Sequence, residues 1–264
     1  MSRIRELSTQ VSPRQKQSPG STIESYDRTL EAALLALKAF PTAESHRRVA
    51  DEYARIGVLD AAQTHYRAAV TIDRQDGAAY DGLARLWRDA GLPTLALGDA
   101  HRAVYFEPGS AEARNTLGTV LQALGQHESA REAYETVLAL QPGAAYALNN
   151  LGYLSLVVGD PAKAIGYCQE AIAADATLVA ARHNLALAYA VTGRMDLVRQ
   201  ALRDAGPAAR ADYNEGIINL SLGRSAAALA AFEAACQGPG GPRDSCTRAR
   251  ALRTLPAKLD GGAE

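Results

Sequence analysis

Two consecutive blocks of the chain share one pattern of residues. Residues 113–142 read ARNTLGTVLQALGQHESAREAYETVLALQP, and residues 146–175 read YALNNLGYLSLVVGDPAKAIGYCQEAIAAD. In the first block, apolar residues recur at helical spacing over residues 111–124. Gly125 then ends the helix, because glycine adopts a left-handed backbone conformation at little cost. A second amphipathic helix is predicted over residues 128–140, so each block predicts a helical hairpin.

The glycine of the turn returns at constant spacing along the chain. Successive turn glycines are 34 residues apart, with a final step of 30, and are Gly57, Gly91, Gly125, Gly159, Gly193 and Gly223. The residue seven positions before each is small: Ala50, Ala84, Gly118, Gly152, Ala186 and Gly216. Small residues let two helices approach closely, and bulky residues of the second helix fill the remaining space. One hairpin cannot bury its apolar face alone, so neighbouring hairpins are expected to stack.

This combination of period and residue pattern resembles the tetratricopeptide repeat family, whose unit is a helical hairpin of 34 residues. The resemblance covers about residues 43–237. It implies an all-α fold, a right-handed superhelix of about six hairpins with capping helices. Within the family, NLALAYAVTGRMDLVRQAL (184–202) followed by ADYNEGIINLSLGRSAAALAAFEAAC (211–236) resembles bacterial Tad/Flp pilus-assembly proteins.

The repeat register predicts how the chain is divided. The hairpins are placed at about 43–76, 77–110, 111–144, 145–178, 179–208 and 209–237, within an array spanning 42–237. The fifth is four residues short, because Gly206 and Pro207 end its second helix early. Residues 1–22, rich in Ser, Gln, Pro and charge, are expected to be a disordered leader. A capping helix is predicted over 23–41, and residues 238–264 are expected to form a loop, a short polar helix over 246–255 and a tail.

Composition limits the class of partner. The chain has 28 basic and 29 acidic residues, a net charge of -1, which gives no indication of nucleic acid as a partner. No apolar stretch reaches the roughly 20 residues that a membrane span needs. We therefore expect a cytoplasmic protein, a monomer or weak homo-oligomer. The alternative compartment is the periplasm, if a signal peptide preceded this sequence.

The residues that usually carry chemistry are sparse. No two of the five histidines lie three or four residues apart, so no helical metal pair is predicted. No nucleotide-binding glycine loop or hydrolase motif occurs. We expect no catalysis, no metal and no cofactor. Cys236 and Cys246 flank a Gly/Pro-rich loop and could close a small disulfide, but the scarcity of cysteine favours free thiols.

The family resemblance implies a concave groove lined by the first helix of each hairpin. In the first two hairpins these positions are mainly charged: Glu44, Arg47, Arg48, Asp51, Arg55, Asp81, Arg85, Arg88 and Asp89. The candidate peptide-groove residues lie further on: Asn115, Tyr146, Asn149, Asn150, Tyr153, His183, Asn184, Leu187, Tyr213, Asn214 and Ile217. An amide offers donors and an acceptor, so a row of asparagines can pair with the backbone of an extended peptide. The alternative is that these asparagines bond to neighbouring helices within the stack.

These features favour a non-catalytic scaffold or adaptor that binds an extended segment of a partner protein in the groove. The Tad/Flp resemblance implies a role in assembly of a bacterial pilus or secretion machine. The alternative function is a substrate-recruiting or regulatory subunit of an enzyme carried on another chain. A homo-oligomeric scaffold with pairing end helices is a third possibility.

Overall fold

A computed structural model of the chain describes residues 27–254, which form fourteen α-helices and no strand. The helices are α1 Arg28–Ala39, α2 Ala43–Arg55, α3 Leu59–Ile72, α4 Gly77–Asp89, α5 Pro93–Phe106, α6 Ala111–Ala123, α7 His127–Leu140, α8 Ala145–Val157, α9 Pro161–Ala174, α10 Val179–Val191, α11 Met195–Asp204, α12 Ala208–Ser221, α13 Ser225–Gln237 and α14 Ser245–Thr254. The predicted leader, the first residues of the predicted capping helix and the tail lie outside the described residues.

The helices group into two compact units that divide between Pro142 and Gly143. The N-terminal unit contains α1 to α7, and the C-terminal unit contains α8 to α14. In each unit, consecutive helices pack antiparallel as hairpins, and each hairpin packs on the next. The predicted all-α class is therefore observed in both units.

The turn of the third hairpin shows why glycine recurs. Gly125 has φ of 76°, in the left-handed region where a side chain would clash with the backbone. This conformation lets the Gln126 amide donate to the Leu121 carbonyl at 2.9 Å and the Gly125 amide donate to Gln122 at 3.0 Å. These two bonds satisfy the last carbonyls of α6 and reverse the chain. The other turn glycines have the same sign of φ, between 74° and 86°.

The described start of α1 is capped by an aspartate. The helix begins at Arg28, and the side chain of Asp27 accepts hydrogen bonds from the amides of Thr29 and Leu30. An aspartate at this position satisfies the unpaired amides of the first turn. Asp76 and Ser110 cap α4 and α6 in the same way, by accepting from the amides of Ala79 and Ala113.

Small residues on first helices face large residues on second helices. A Cβ atom at Gly118 would lie 2.5 Å from Tyr134 Cε1, and one at Gly216 would lie 2.7 Å from Phe232 Cε1. Both rings are fully buried. Because each ring occupies the space of the missing side chain, the two helices of a hairpin come into close contact.

The C-terminal end of the array is closed by a disulfide between Cys236 and Cys246. The prediction of free thiols for this pair was wrong, because the loop between them folds back and brings the two α-carbons to 4.9 Å. The loop lies against α13 so tightly that a Cβ at Gly241 would collide with the Ala235 carbonyl oxygen. The disulfide thus joins the end of α13 to the start of α14. Cys168 is buried and free.

Candidate partner-binding surface

Charged residues of the N-terminal unit pair with one another. Arg47 donates two hydrogen bonds to the carboxylate of Asp76, at 2.8 and 2.7 Å. Arg85 forms an ion pair with Asp81 at 2.9 Å. Because these charges are used within the unit, they offer a partner less than the sequence suggests.

Two histidines of the first hairpin meet although they are far apart in sequence. The Nδ1 atoms of His46 and His65 are 3.0 Å apart, and the His65 ring stacks on Tyr53. The ring centroids lie 5.2 Å apart. Partial burial, with the neighbouring His46, lowers the pKa of His65. The pair therefore joins α2 to α3 by a contact of hydrogen-bond length.

In the C-terminal unit, polar side chains connect successive first helices. The Asn184 amide nitrogen on α10 donates to the Asn149 amide oxygen on α8 at 2.9 Å. The Asn214 amide nitrogen on α12 lies 3.2 Å from His183 Nε2 on α10. Asn184 and Asn214 each lie nine residues before the turn glycine of their own hairpin. Each contacts the residue that lies ten positions before the turn glycine of the preceding hairpin. The repeat register therefore produces the same contact twice.

A third link has the same form and ends on the loop before α14. Tyr213 on α12 donates its hydroxyl hydrogen to Asp244 Oδ2 at 2.7 Å, and Arg248 donates to the same oxygen at 2.8 Å. The guanidinium of Arg248 also lies 5.6 Å from the centre of the Tyr213 ring. Sequence analysis missed Asp244, although it stands 31 residues after Tyr213, the same separation as His183 and Asn214. We call the three links Asn149–Asn184, His183–Asn214 and Tyr213–Asp244 the polar ladder.

Burial makes the middle link favour a neutral histidine. Burial lowers the pKa of His183, and the charge of Arg210 lowers it further. A neutral imidazole has one nitrogen that accepts a hydrogen bond, so Nε2 can accept from the Asn214 amide. Burial also raises the pKa of Tyr213 to about 12, and the bond to Asp244 adds to the shift. The tyrosine therefore remains a donor in the third link.

The structure separates the predicted groove residues by exposure. The half-buried ones are Asn115, Tyr146, Asn149, Asn150, Tyr153, His183, Asn184 and Tyr213. Asn115 belongs to the N-terminal unit and the others to the C-terminal unit. Leu187, Asn214 and Ile217 are only 5%, 6% and 2% exposed. Leu187 and Ile217 pack in the hydrophobic core of the C-terminal unit, which corrects their expected place on an open surface.

Among residues 27–254, no group of three or more His, Cys, Asp or Glu side chains is arranged to hold a metal ion. No helix within the same range combines the length and apolarity that crossing a membrane requires. The polar ladder connects successive first helices of the C-terminal unit.

Comparison with known proteins agrees with the hairpin geometry. The family model described as tetratricopeptide repeat matches residues 115–178 and 196–242. These hairpins are tetratricopeptide repeats. No curated protein matches the chain.

Solved structures share the tetratricopeptide fold. A chain of the APC/C hetero-tetramer Cut9–Hcn1 has a TM-score of 0.70 and 19% identity, over 85% of this chain and 46% of that one. This chain thus spans less than half the length of that protein. PilW, described as a widely conserved type IV pilus biogenesis factor, has a TM-score of 0.68 and 19% identity, over 80% of this chain and 98% of its own. PilF of Pseudomonas aeruginosa has a TM-score of 0.62 and 18% identity, over 85% and 98%.

The turn glycines, the small–large contacts and the polar ladder all follow the tetratricopeptide register. Proteins of this repeat class bind other proteins, through the concave surfaces that stacked repeats create. The predicted all-α tetratricopeptide fold is confirmed.

Proposed function

We propose that this protein is a non-catalytic adaptor whose C-terminal unit binds an extended segment of a partner protein. The segment lies across the first helices α8, α10 and α12 and contacts the exposed side of the polar ladder. The observation that supports the proposal most directly is the hydrogen bond between Asn149 and Asn184.

This link leaves hydrogen-bonding capacity on a partly exposed surface. The bond uses one of the two N–H groups of Asn184 and one acceptor site of Asn149. In the described part of the chain, the Asn149 amide nitrogen and the Asn184 amide oxygen bond to no other side chain. A donor and an acceptor side by side match the carbonyl and N–H of an extended backbone. Such contacts bind a peptide with little dependence on its sequence.

The ladder also holds these groups in place before a partner arrives. The first two links cross from one hairpin to the next, so the amide of one helix fixes the rotamer of its neighbour. A surface ordered in advance loses less conformational entropy when it binds. Half-buried Tyr146 and Tyr153 lie on α8, beside the first link. Aromatic side chains often dominate binding energy, so we assign the two tyrosines as anchors for the partner's side chains.

The test replaces both members of the first link. Substituting Asn149→Leu and Asn184→Leu together removes both amides, and such paired apolar replacement is nearly neutral for stability. The matched control is Glu170→Leu with Gln200→Leu, at exposed positions on the second helices α9 and α11. The partner is first identified by affinity purification with mass spectrometry, and its binding segment is synthesised as a labelled peptide. Fluorescence anisotropy then gives the dissociation constant for each variant.

We expect the double leucine variant to bind the peptide at least about tenfold more weakly, which is about 1.4 kcal/mol. The control variant should bind as the unmodified protein does. Equal affinity in a double leucine variant that retains its helical circular dichroism would contradict the proposed surface.

The narrower part of the proposal is a role in assembling a bacterial pilus or secretion machine. It is supported by the likeness to PilW and PilF and by the Tad/Flp resemblance of residues 184–202 and 211–236. Deleting the gene and counting surface pili tests this role. Normal pilus number and normal secretion in the deletion strain would refute it.

We also propose that the protein works in an oxidising compartment such as the periplasm. The bond between Cys236 and Cys246 supports this, because structural disulfides persist in oxidising compartments and are rare in the cytoplasm. Trapping thiols with an alkylating reagent in intact cells gives the answer. Alkylation of both cysteines before any reduction would place the protein in a reducing compartment.

A further inference from the structure

Helix α1 is unusual among the described helices because it contains no buried residue. Its sequence is nevertheless apolar: RTLEAALLALKA over Arg28–Ala39. The exposed fractions of Leu34 and Leu35 are 37% and 61%. Exposing leucines on one face of a helix costs hydrophobic free energy, since apolar surface is unfavourable in water. Burying these leucines against a partner would be favourable.

The exposed side of α1 forms one continuous surface. The described residues that line its shallow groove are Asp27, Leu30, Glu31, Leu34, Leu35 and Lys38. Leu30 and Leu34 are one helical turn apart and make an apolar stripe. Glu31 and Lys38 stand on the same groove, one toward each end. We call these six residues the α1 face.

The orientation of α1 is fixed by contacts with α2. Arg55 forms an ion pair with Asp27, and its guanidinium also donates to the Thr29 hydroxyl at 2.9 Å. Thr29 in turn donates to Glu52 at 2.8 Å. Because α1 is held on α2 in this way, the α1 face has a fixed orientation relative to α2.

The charges on the α1 face are arranged symmetrically about its leucines. Glu31 lies three residues before Leu34, and Lys38 lies three residues after Leu35. If two copies of α1 cross antiparallel at Leu34 and Leu35, Glu31 of each copy stands opposite Lys38 of the other. A two-fold interface needs such a self-complementary surface. The same symmetry places leucine against leucine at the centre.

We propose that the α1 face pairs with the α1 face of a second copy of this chain, giving an antiparallel helix dimer. One helix face buries less surface than a standard stable interface, so the dimer is weak and depends on concentration. The proposal concerns only the N-terminal unit. It is independent of the partner-binding surface proposed for the C-terminal unit.

The test measures the molar mass of the full chain by sedimentation across a range of protein concentrations. We expect the molar mass to rise with concentration from that of one chain toward that of two chains. Glu31→Lys should weaken dimerisation about tenfold or more, because symmetry places the like-charge contact in the interface twice. Lys38→Glu should do the same. The double variant Glu31→Lys with Lys38→Glu should restore the dimer, since it exchanges the charges and keeps them complementary.

The matched control is Leu95→Arg on α5, where the leucine is 53% exposed and outside the α1 face. It should dimerise as the unmodified chain does, whereas Leu35→Arg should remain a monomer. A chain that sediments as a monomer at every concentration overturns the proposal, whether residues 1–26 or another protein covers the face. Dimers that survive Leu35→Arg, or single charge variants that the double variant does not rescue, overturn it equally.

Discussion

A pair of glycine substitutions in the N-terminal unit tests the small–large packing directly. Gly118 on α6 faces Tyr134, where an added Cβ would lie 2.5 Å from Cε1 and 2.8 Å from Cδ1. The ring cannot swing away easily, because it is fully buried and its hydroxyl bonds to Gln122 at 3.1 Å. Gly98 lies inside α5, and an added Cβ there meets no atom within 4 Å.

The two changes should therefore have opposite signs. In both helices, replacing glycine with alanine adds about 0.5–1 kcal/mol to the free energy of unfolding, because alanine restricts the unfolded chain and favours the helix. Only Gly118→Ala also overpacks the core, which costs roughly 1–3 kcal/mol. We expect Gly118→Ala to lower the free energy of unfolding by about 1–2 kcal/mol in sum. Gly98→Ala should raise it by about 0.5–1 kcal/mol.

Urea denaturation followed by circular dichroism measures both variants under one condition. A further variant combines Gly118→Ala with Tyr134→Leu and so copies the Ala186 and Leu202 pair of the fifth hairpin. If the clash with the ring causes the loss of stability, Gly118→Ala should be less destabilising when Tyr134→Leu is also present than it is alone. A double-mutant cycle measures this favourable coupling. Equal stabilisation by Gly118→Ala and Gly98→Ala would refute the packing argument.

Three further outcomes are expected. Gly125→Ala should destabilise by about 1–2 kcal/mol, because φ at this position is 76°; equal urea midpoints would contradict this. Cys236→Ser with Cys246→Ser should lower stability by roughly 2–3 kcal/mol through the lost loop constraint, with faster amide exchange in α14. Burial lowers the pKa of His183 in the folded state. The contribution of neutral His183 to stability is therefore present above the ordinary pKa of 6.5 and is lost as the pH falls below 6.5 toward the folded pKa. His183→Gln should reduce the dependence of the free energy of unfolding on pH in this range.

Some site features were open to prediction and others were not. The register of Asn184 and Asn214 could be read from the sequence because both are counted from a turn glycine. Their contacts could not, because these depend on how the first helices of neighbouring hairpins pack. Likewise the meeting of His46 and His65 depends on how α2 and α3 pack. Sequence spacing within one helix gives no information about such contacts between helices.

The sequence by itself determined the repeat, since the hairpin period, the left-handed turn glycines and the small–large alternation are local requirements repeated at fixed intervals. Tertiary structure decided which side chains are exposed to a partner and which are paired or buried. Leu187 and Ile217 lie in the core and Asp244 joins the ladder, while Cys236 bonds to Cys246. The physical reason is that exposure and pairing depend on the distance and rotation between packed helices. Those quantities come from the sum of many contacts and not from any one repeat.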